Sequence, residues 1–292
     1  MGDEKYSLET RVNSGSRRQK HALILAPDIE ARHLKNIYQG ILTFLNLDYQ
    51  DIHVVMKPLS PIAHLVPADG EKSIRINNQD VIFYPNKVES ITHAMDNLGQ
   101  GLKQDDLLTI YTTGHGTYIG PAYSSLLFGN EKLNPFSMRR ELQTHIKDRN
   151  SYIFIADQCL GFDFIWPMVK QSNGIGIAAN KSGDVSYNEN FPLAFFPSLR
   201  KTKSLKKAFD CAYVQNASKF SYLARQEPQM IEVVDGKLRA YPDDSRTIGS
   251  TVAEGDNSFT LWDYDMPRGH VCLSDARKLE ALLNPGSKRN II

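Results

Sequence analysis

Residues 107–116 read LLTIYTTGHG, an apolar segment that ends in a glycine-flanked histidine, His115. Residues 152–159 read YIFIADQC, a second apolar segment that ends in an acid and a cysteine, Cys159. Apolar runs of this length are typical of strands buried on both faces of a parallel sheet. Because ligands bind at the carboxyl ends of the strands in such sheets, both segments bring a reactive side chain to the edge where a site is expected.

Strand and helix patterns alternate from these two segments outward. The patterns predict strands over residues 21–26, 52–56, 107–112, 124–128, 152–156, 174–179 and 229–236, and helices over 31–47, 88–102 and from a cap at Ser137. Alternation of this kind predicts an α/β fold with a mainly parallel sheet and helices on both faces, which is a three-layer sandwich.

The ends of the chain differ in composition from its middle. Residues 1–20 are polar and contain glycine and serine, so we expect a mobile arm. Residues 21–236 carry the alternating pattern and are expected to form one domain. Residues 237–292 are turn-rich at first and end in a helical pattern, which predicts a C-terminal appendage.

Composition excludes several function classes. The 292 residues are 41% hydrophobic and 23% charged, and 34 Lys and Arg against 33 Asp and Glu leave a net charge of +1. Neither a nucleic acid nor an anionic membrane finds a broad basic field here. No apolar run approaches the roughly 18 residues of a spanning helix, and the first residues lack the apolar core of a signal peptide. Three scattered cysteines favour a reducing, cytosol-like setting.

His115 and Cys159 are the best base and nucleophile in the chain. A thiol at its ordinary pKa of about 8.5 is only a few per cent thiolate near neutral pH, and an imidazolium or a helix N-terminus raises that fraction. The backbone amides of Gly116 and Cys159 are placed to bind the oxyanion of a tetrahedral intermediate. The histidines have no metal-ligand spacing, so we expect neither a metal nor another cofactor.

Other interpretations of the same residues remain open. A cysteine at a strand end is often a small buried hydrophobe, and a histidine in a glycine loop is often a structural residue. The combination favours a catalytic dyad, since each residue ends an apolar strand and the histidine precedes the cysteine by 44 positions.

Four short motifs, in order along the chain, resemble the caspase-like cysteine peptidases, and among them the legumain or asparaginyl endopeptidase family. The motifs are Ala31-Arg32-His33, Thr113-Gly114-His115-Gly116, Ile155-Ala156-Asp157-Gln158-Cys159, and the stretch from Gly176-Ile-Ala-Ala-Asn180 to Ser186-Tyr187. The resemblance covers roughly residues 20–235. It implies peptide-bond hydrolysis, or transpeptidation, through a thioester on Cys159.

The resemblance also implies a specificity pocket. Its residues would be Arg32, Asp157 and Ser186 with the adjacent Tyr187, and the substrate would be a peptide or protein with Asn or Asp before the scissile bond. An arginine beside a carboxylate offers both donors and acceptors, which suits a neutral amide. Without a substrate role, Arg32 and Asp157 would simply form an ion pair.

Three positions depart from the family pattern. Glu30 stands where legumains have an Asn that assists the histidine, and a carboxylate there would orient His115. Gly114 replaces an Asp, and Phe195 is the expected replacement of a second pocket acid. These departures keep two alternatives open, namely a non-catalytic relative that binds peptides or a partner, and a peptidase that uses Asp157 alone to select Arg or Lys.

Overall fold

The computed structural model describes residues 18–27, 30–58, 62–76, 78–118, 124–146, 151–170, 172, 174–183, 186, 190–217, 227–234 and 237–241. The strands are β1 (Lys20–Ala26), β2 (Asp51–Met56), β3 (Lys72–Ile76), β4 (Gln79–Tyr84), β5 (Leu107–Thr112), β6 (Gly116–Tyr118), β7 (Ser124–Phe128), β8 (Glu131–Leu133), β9 (Ser151–Ala156), β10 (Gly174–Ala178), β11 (Gln229–Val234) and β12 (Lys237–Tyr241). The helices are α1 (Ala31–Asn46), α2 (Val88–Gly101), α3 (Pro135–His145), α4 (Gly161–Val169), α5 (Asn190–Thr202) and α6 (Leu205–Ala217), with a 3₁₀ turn at Ala63–Leu65.

Nine of these strands form one sheet in the order β12-β11-β10-β9-β5-β1-β2-β4-β3. Its six inner strands run parallel to their neighbours, and β3, β11 and β12 add antiparallel edges. The other three strands form a small antiparallel sheet in the order β6-β7-β8. Parallel strands buried on both faces require nearly continuous apolar sequence, and all residues of β1, β5 and β10 are buried.

Helices cover both faces of the large sheet. Alternate residues of β1 point to opposite faces: Ala22 and Ile24 join one apolar cluster, and Leu23 and Leu25 join the other. The first cluster receives side chains from α1, α5 and α6, and the second from α2, α3 and α4. The three-layer α/β architecture predicted from the sequence is therefore confirmed.

Several predicted boundaries are wrong. β12 pairs with β11 in the large sheet, so the domain continues to Tyr241 rather than ending at residue 236. At the other end, Gln19 already belongs to the folded body, because its amide donates to Asp106 Oδ1 at 2.8 Å and its carbonyl accepts from Leu107. Residues 1–17 and 242–292, which hold the rest of the predicted arm and appendage, lie outside the described residues.

One helix begins differently from the prediction. α3 is capped by Asn134, whose side chain accepts the Ser137 amide at 2.8 Å, so Ser137 lies inside the helix instead of capping it. Residues 72–84 form the β3–β4 hairpin, and β4 pairs with β2 in the large sheet. None of the helices in the described part of the chain is both long and apolar enough to cross a lipid bilayer.

Candidate active site

The two segments that carry His115 and Cys159 leave the sheet side by side. β5 and β9 are parallel neighbours, with Thr112 opposite Ala156 in the last register pair. Just beyond that pair, the Asp157 amide donates to the Thr112 carbonyl at 2.8 Å. The adjacency expected from the sequence is thus present in the structure, at the carboxyl edge of the parallel strands.

Gly116 makes the closest approach between these two segments. A β-carbon built at Gly116 would lie 2.0 Å from the carbonyl oxygen of Cys159, which is far inside any real contact. The backbone of the histidine segment therefore rests directly on the turn that carries the cysteine. A glycine is required at this position because no larger residue fits unless the turn moves.

The amide of Gly116 points away from the neighbouring strand β7. The Leu127 amide of β7 donates to the His115 carbonyl at 3.0 Å, so the peptide groups of His115 face β7. Since consecutive residues of a strand present their N–H and C=O groups to opposite sides, those of Gly116 face away from β7. An amide oriented in this way is outside the β6–β7 ladder, as an oxyanion donor must be.

The turn around Cys159 is held by its own backbone and by neighbouring side chains. The Gln158 carbonyl accepts from the Gly161 amide at 3.1 Å and from Nδ2 of Asn180 at 2.9 Å. Leu160 adopts a left-handed conformation with φ of 57°, and its carbonyl accepts the Ser124 hydroxyl at 2.8 Å. This conformation is unfavourable for a leucine, and these hydrogen bonds help to maintain it.

The sulfur of Cys159 is half-buried and lies immediately before the first turn of α4. Its Sγ is 3.7 Å from the Ser186 carbonyl oxygen. The amino end of a helix carries partial positive charge, and reactive cysteines are often found beside it. Cys159 is thus a partly exposed residue just before a helix N-terminus.

His115 faces a carboxylate, as the sequence predicts. Its Nε2 lies 3.4 Å from Oε1 of Glu30, and the two side chains are 36% and 57% exposed. Glu30 precedes α1, and its side chain does not cap that helix. A carboxylate at this distance can restrict the orientation of the ring.

Gly114 has a conformational reason to replace the family's aspartate. Its φ is 135°, in the region that side-chain-bearing residues rarely adopt. The departure therefore follows from the backbone path into His115.

A polar network that sequence reasoning missed lies beneath the site. Asp157 is buried and its Oδ2 accepts from Nδ2 of Asn36 at 2.8 Å and from the Thr113 hydroxyl at 3.2 Å. Thr113 also meets Nδ1 of His33 at 3.1 Å, and the His33 ring packs edge-on against His115 with centroids 6.0 Å apart.

Burial and the Asp157 charge together raise the pKa of Tyr111 well above its usual range. Spacing offered one signal, since His33 and Asn36 are polar residues three apart on the buried face of an apolar helix.

The remaining predicted pocket residues divide into three cases. Ser186 lies beside the sulfur, as described above. Tyr187 and the side chain of Arg32, which belongs to α1, lie outside the described residues. Phe195 is fully buried and stacks on Phe191 with ring centroids 5.3 Å apart, so the prediction that it lines the pocket is wrong. It belongs to the core under α5, because helical periodicity turns it to the sheet.

Another residue that the sequence analysis missed is Asp163, in the first turn of α4. Its Oδ1 accepts the Ser182 hydroxyl at 2.6 Å and its Oδ2 accepts the Gly183 amide at 3.0 Å. Asp163 thus ties the helix behind the cysteine to the segment that precedes Ser186. The sequence did contain one signal for Asp163, because it is an acid four residues after the candidate nucleophile Cys159.

Comparisons with known proteins give distant similarities only. No protein-family model matches the sequence, and no curated protein matches it. Among solved structures, a secreted C11 cysteine protease from Bacteroides thetaiotaomicron, called iotapain, is similar with a TM-score of 0.47 and 10% identity, over 75% of this chain and 67% of that one. A C11 cysteine protease from the same organism in complex with an irreversible peptide inhibitor gives a TM-score of 0.44 and 10% identity, over 74% of this chain and 66% of that one.

A further similar structure has a different activity. A 2-dehydropantoate 2-reductase from Methylococcus capsulatus gives a TM-score of 0.25 and 11% identity, over 58% of this chain and 44% of that one. Neither protease is described as a legumain, so that finer resemblance rests on the sequence motifs alone. Similarities at this distance do not assign a family, and the functional argument below therefore rests on the site.

Proposed function

We propose that this protein is a cysteine endopeptidase with Cys159 as nucleophile and His115 as general base and acid. The observation that carries the proposal is the contact of Gly116 with the Cys159 carbonyl at the carboxyl edge of β5 and β9. This contact joins the two segments that carry His115 and Cys159, and it supports the assignment of both residues to one site.

In the proposed reaction His115 takes the proton of the Cys159 thiol, and the sulfur attacks the carbonyl carbon of the scissile peptide bond. The carbonyl oxygen becomes an oxyanion that accepts hydrogen bonds from the amides of Gly116 and Cys159. His115 then gives its proton to the departing amine, which leaves a thioester. Water, deprotonated by His115, attacks the thioester and releases the acid and the thiol. If an amine attacks instead of water, the result is transpeptidation.

Glu30 supports this cycle as a positioning residue. The imidazolium exists only while His115 holds the proton, so a carboxylate 3.4 Å away stabilises the charged stages of the reaction more than the resting one. Both side chains are partly exposed, so the contribution is modest.

We further propose that the substrate has Asn or Asp before the scissile bond and that Arg32, Asp157, Ser186 and Tyr187 recognise it. The burial of Asp157 argues against its use alone to select Arg or Lys. Its Oδ2 already accepts from Asn36 and Thr113, so a cationic substrate would have to compete with two existing donors. Cleavage of a peptide panel with Asn, Asp, Arg or Lys at that position distinguishes the two specificities.

The central test compares two cysteine variants. Cys159→Ala should abolish cleavage of a peptide library and the rapid reaction with iodoacetamide near neutral pH. Cys211→Ala is the matched control, since Cys211 is also half-buried but lies on α6 beside Gln215. We expect that control to cleave like the wild type. Equal activity of the Cys159 variant would overturn the proposal, and slow alkylation with peptide binding but no cleavage would favour a non-catalytic relative.

A further inference from the structure

Tyr118 projects from the strand that begins at Gly116. Residues two apart along a strand lie on the same face, so Tyr118 shares the face on which Gly116 meets the Cys159 turn. That strand is only three residues long and forms one edge of the small sheet. The Tyr118 ring therefore extends the surface of the cysteine turn and is not part of the core.

A second element meets the Tyr118 side chain from the opposite direction. The position of a β-carbon at Gly183 lies 3.6 Å from the Tyr118 hydroxyl oxygen. Gly183 is held in place by Asp163, which accepts its amide from the first turn of α4. The Tyr118 side chain thus lies between its own strand, β6, and the segment around Gly183, which is bound to Asp163 of α4.

The same segment connects Tyr118 with the reacting sulfur. Ser186, whose carbonyl lies 3.7 Å from Sγ of Cys159, follows Gly183 by three positions. Along its own strand, Tyr118 lies two residues, or about 7 Å, from Gly116, whose β-carbon position meets the Cys159 carbonyl. An extended peptide bonded to the sulfur advances about 3.4 Å per residue, so side chains within roughly three positions of the scissile bond are within reach of the Tyr118 ring.

Tyr118 is nearly half exposed to solvent. Among the described residues the large apolar side chains left open to solvent are Tyr118 (48%), Phe136 and Val214. An aromatic ring gains most by covering apolar area, and its π-face favours another aromatic group. An open tyrosine beside a nucleophile turn is therefore a suitable wall for a substrate side chain.

We propose that Tyr118 is a specificity-determining residue, whose ring forms one wall of a subsite for an apolar, preferably aromatic, side chain of the peptide substrate. The subsite serves a position within about three residues of the scissile bond. This inference rests on the proposed peptidase function and adds a second recognition element to the pocket around Asp157.

The test is substrate profiling with peptides randomised at three positions on either side of the scissile bond. The wild type should prefer an aromatic residue over alanine at one of those positions. In Tyr118→Ala the ratio of kcat/KM between the aromatic and the alanine peptide should fall about ten-fold at that position alone. Tyr118→Phe should keep the ratio, because the ring face and not the hydroxyl makes the contact.

Phe136→Ala is the matched control, since Phe136 is an aromatic residue of similar exposure on α3. It should leave the ratio unchanged, and the thermal midpoints of all variants show that they are folded. An unaltered ratio in Tyr118→Ala, or an equal fall in Phe136→Ala, would overturn the inference while the peptidase proposal stands. Cleavage that persists in Cys159→Ala would overturn both.

Discussion

Two histidine–carboxylate pairs lie at opposite edges of the parallel strands and differ in their surroundings. At the amino edge, Nδ1 of His21 meets Oδ2 of Asp51 at 2.8 Å, with Asp106 behind it, and the His21 side chain is 2% exposed. At the carboxyl edge, His115 and Glu30 are more open and 3.4 Å apart. The same two chemical groups thus form a buried link between strands in one place and an accessible pair in the other.

The comparison shows what separates a structural pair from a reactive one. At the amino edge, Asp106 also accepts the backbone amides of Gln19 and Lys103, and the His21 hydrogen bond lowers the pKa of Asp51. Groups committed to so many partners stabilise the fold but have no room for a substrate. At the carboxyl edge the side chains of His115 and Glu30 are partly exposed, and the absence of a side chain at Gly116 leaves room for the Cys159 turn.

The largest effect should come from removing each histidine in turn. His115→Ala should lower kcat by about 10²–10⁴-fold and hardly change stability, because general acid–base catalysis is lost from an open site. His21→Ala should lower the free energy of unfolding by about 1–3 kcal/mol, because carboxylates at the amino edge lose a partner. Peptide turnover per folded molecule and urea denaturation measure the two effects. A normal kcat for His115→Ala would contradict the conclusion that the His115 pair is reactive and the His21 pair is structural.

A pair of glycine variants tests the crowding at the carboxyl edge. Gly116→Ala places a methyl group where the Cys159 carbonyl now lies, so the turn must shift by more than 1 Å and kcat should fall about 10²-fold or more. At the amino edge, a β-carbon at Gly101 would find its nearest neighbour, Asp51 Oδ2, at 3.8 Å, an ordinary contact. Gly101→Ala should therefore keep full activity. If both variants behave alike, the Gly116 contact has no functional importance.

We expect the free energy of unfolding to depend on pH through the buried residue His53. Burial lowers the pKa of His53 to about 4. The charges of His21 and His93 act in the same direction, and the charge of Asp51 acts in the opposite one. Nδ1 of His53 contacts the Tyr84 hydroxyl at 2.8 Å. Between the lowered pKa of His53 and its ordinary pKa of about 6.5, the unfolded chain binds a proton that the folded protein does not. Stability should therefore fall by about 2 kcal/mol between about pH 7 and about pH 5.

The variant His53→Gln tests this effect, because glutamine is uncharged at every pH. Urea denaturation at both pH values should show a smaller acid loss of stability for the variant than for the wild type. The same loss in both proteins would mean that other groups cause it. Peptide cleavage by the variant near neutral pH should remain normal.

The smallest effect is expected for Glu30→Gln. The glutamine keeps the shape but loses the charge, and an exposed pair contributes less than about 1 kcal/mol, so kcat should fall about 2- to 5-fold. The deficit should shrink as salt is added, because exposed charges are screened. A loss as large as that of His115→Ala would show that Glu30 takes part in proton transfer itself. No change at all would show that the carboxylate does not assist His115.

The sequence predicted those parts of the fold and site that depend on local pattern. The strands over residues 107–112 and 152–156 were predictable because their apolar runs are continuous, and their adjacency explains why His115 and Cys159 share an edge. The pairing of Glu30 with His115 was also anticipated. Phe195 was misplaced because family position was given more weight than the helical periodicity that buries it in α5.

Contacts between distant segments were beyond the sequence. Asn36 donates to Asp157 and His33 contacts Thr113 because α1 lies against the ends of β9 and β5, which are distant from it along the chain. The link from Asp163 to Gly183 and the position of Tyr118 are of the same kind. Each depends on the angles at which helices and loops return to the sheet.

The amino-acid sequence by itself determined five of the six parallel strands, β1, β2, β5, β9 and β10, and the placement of a histidine and a cysteine at strand ends, because periodic burial is a local property of the chain. Only the tertiary structure decided that the Gly116 backbone touches the Cys159 turn, that Asp157 is buried, and that the His21 pair is closed whereas the His115 pair is open. These outcomes depend on which distant atoms pack together, and close packing is decided by the whole fold rather than by any segment of it.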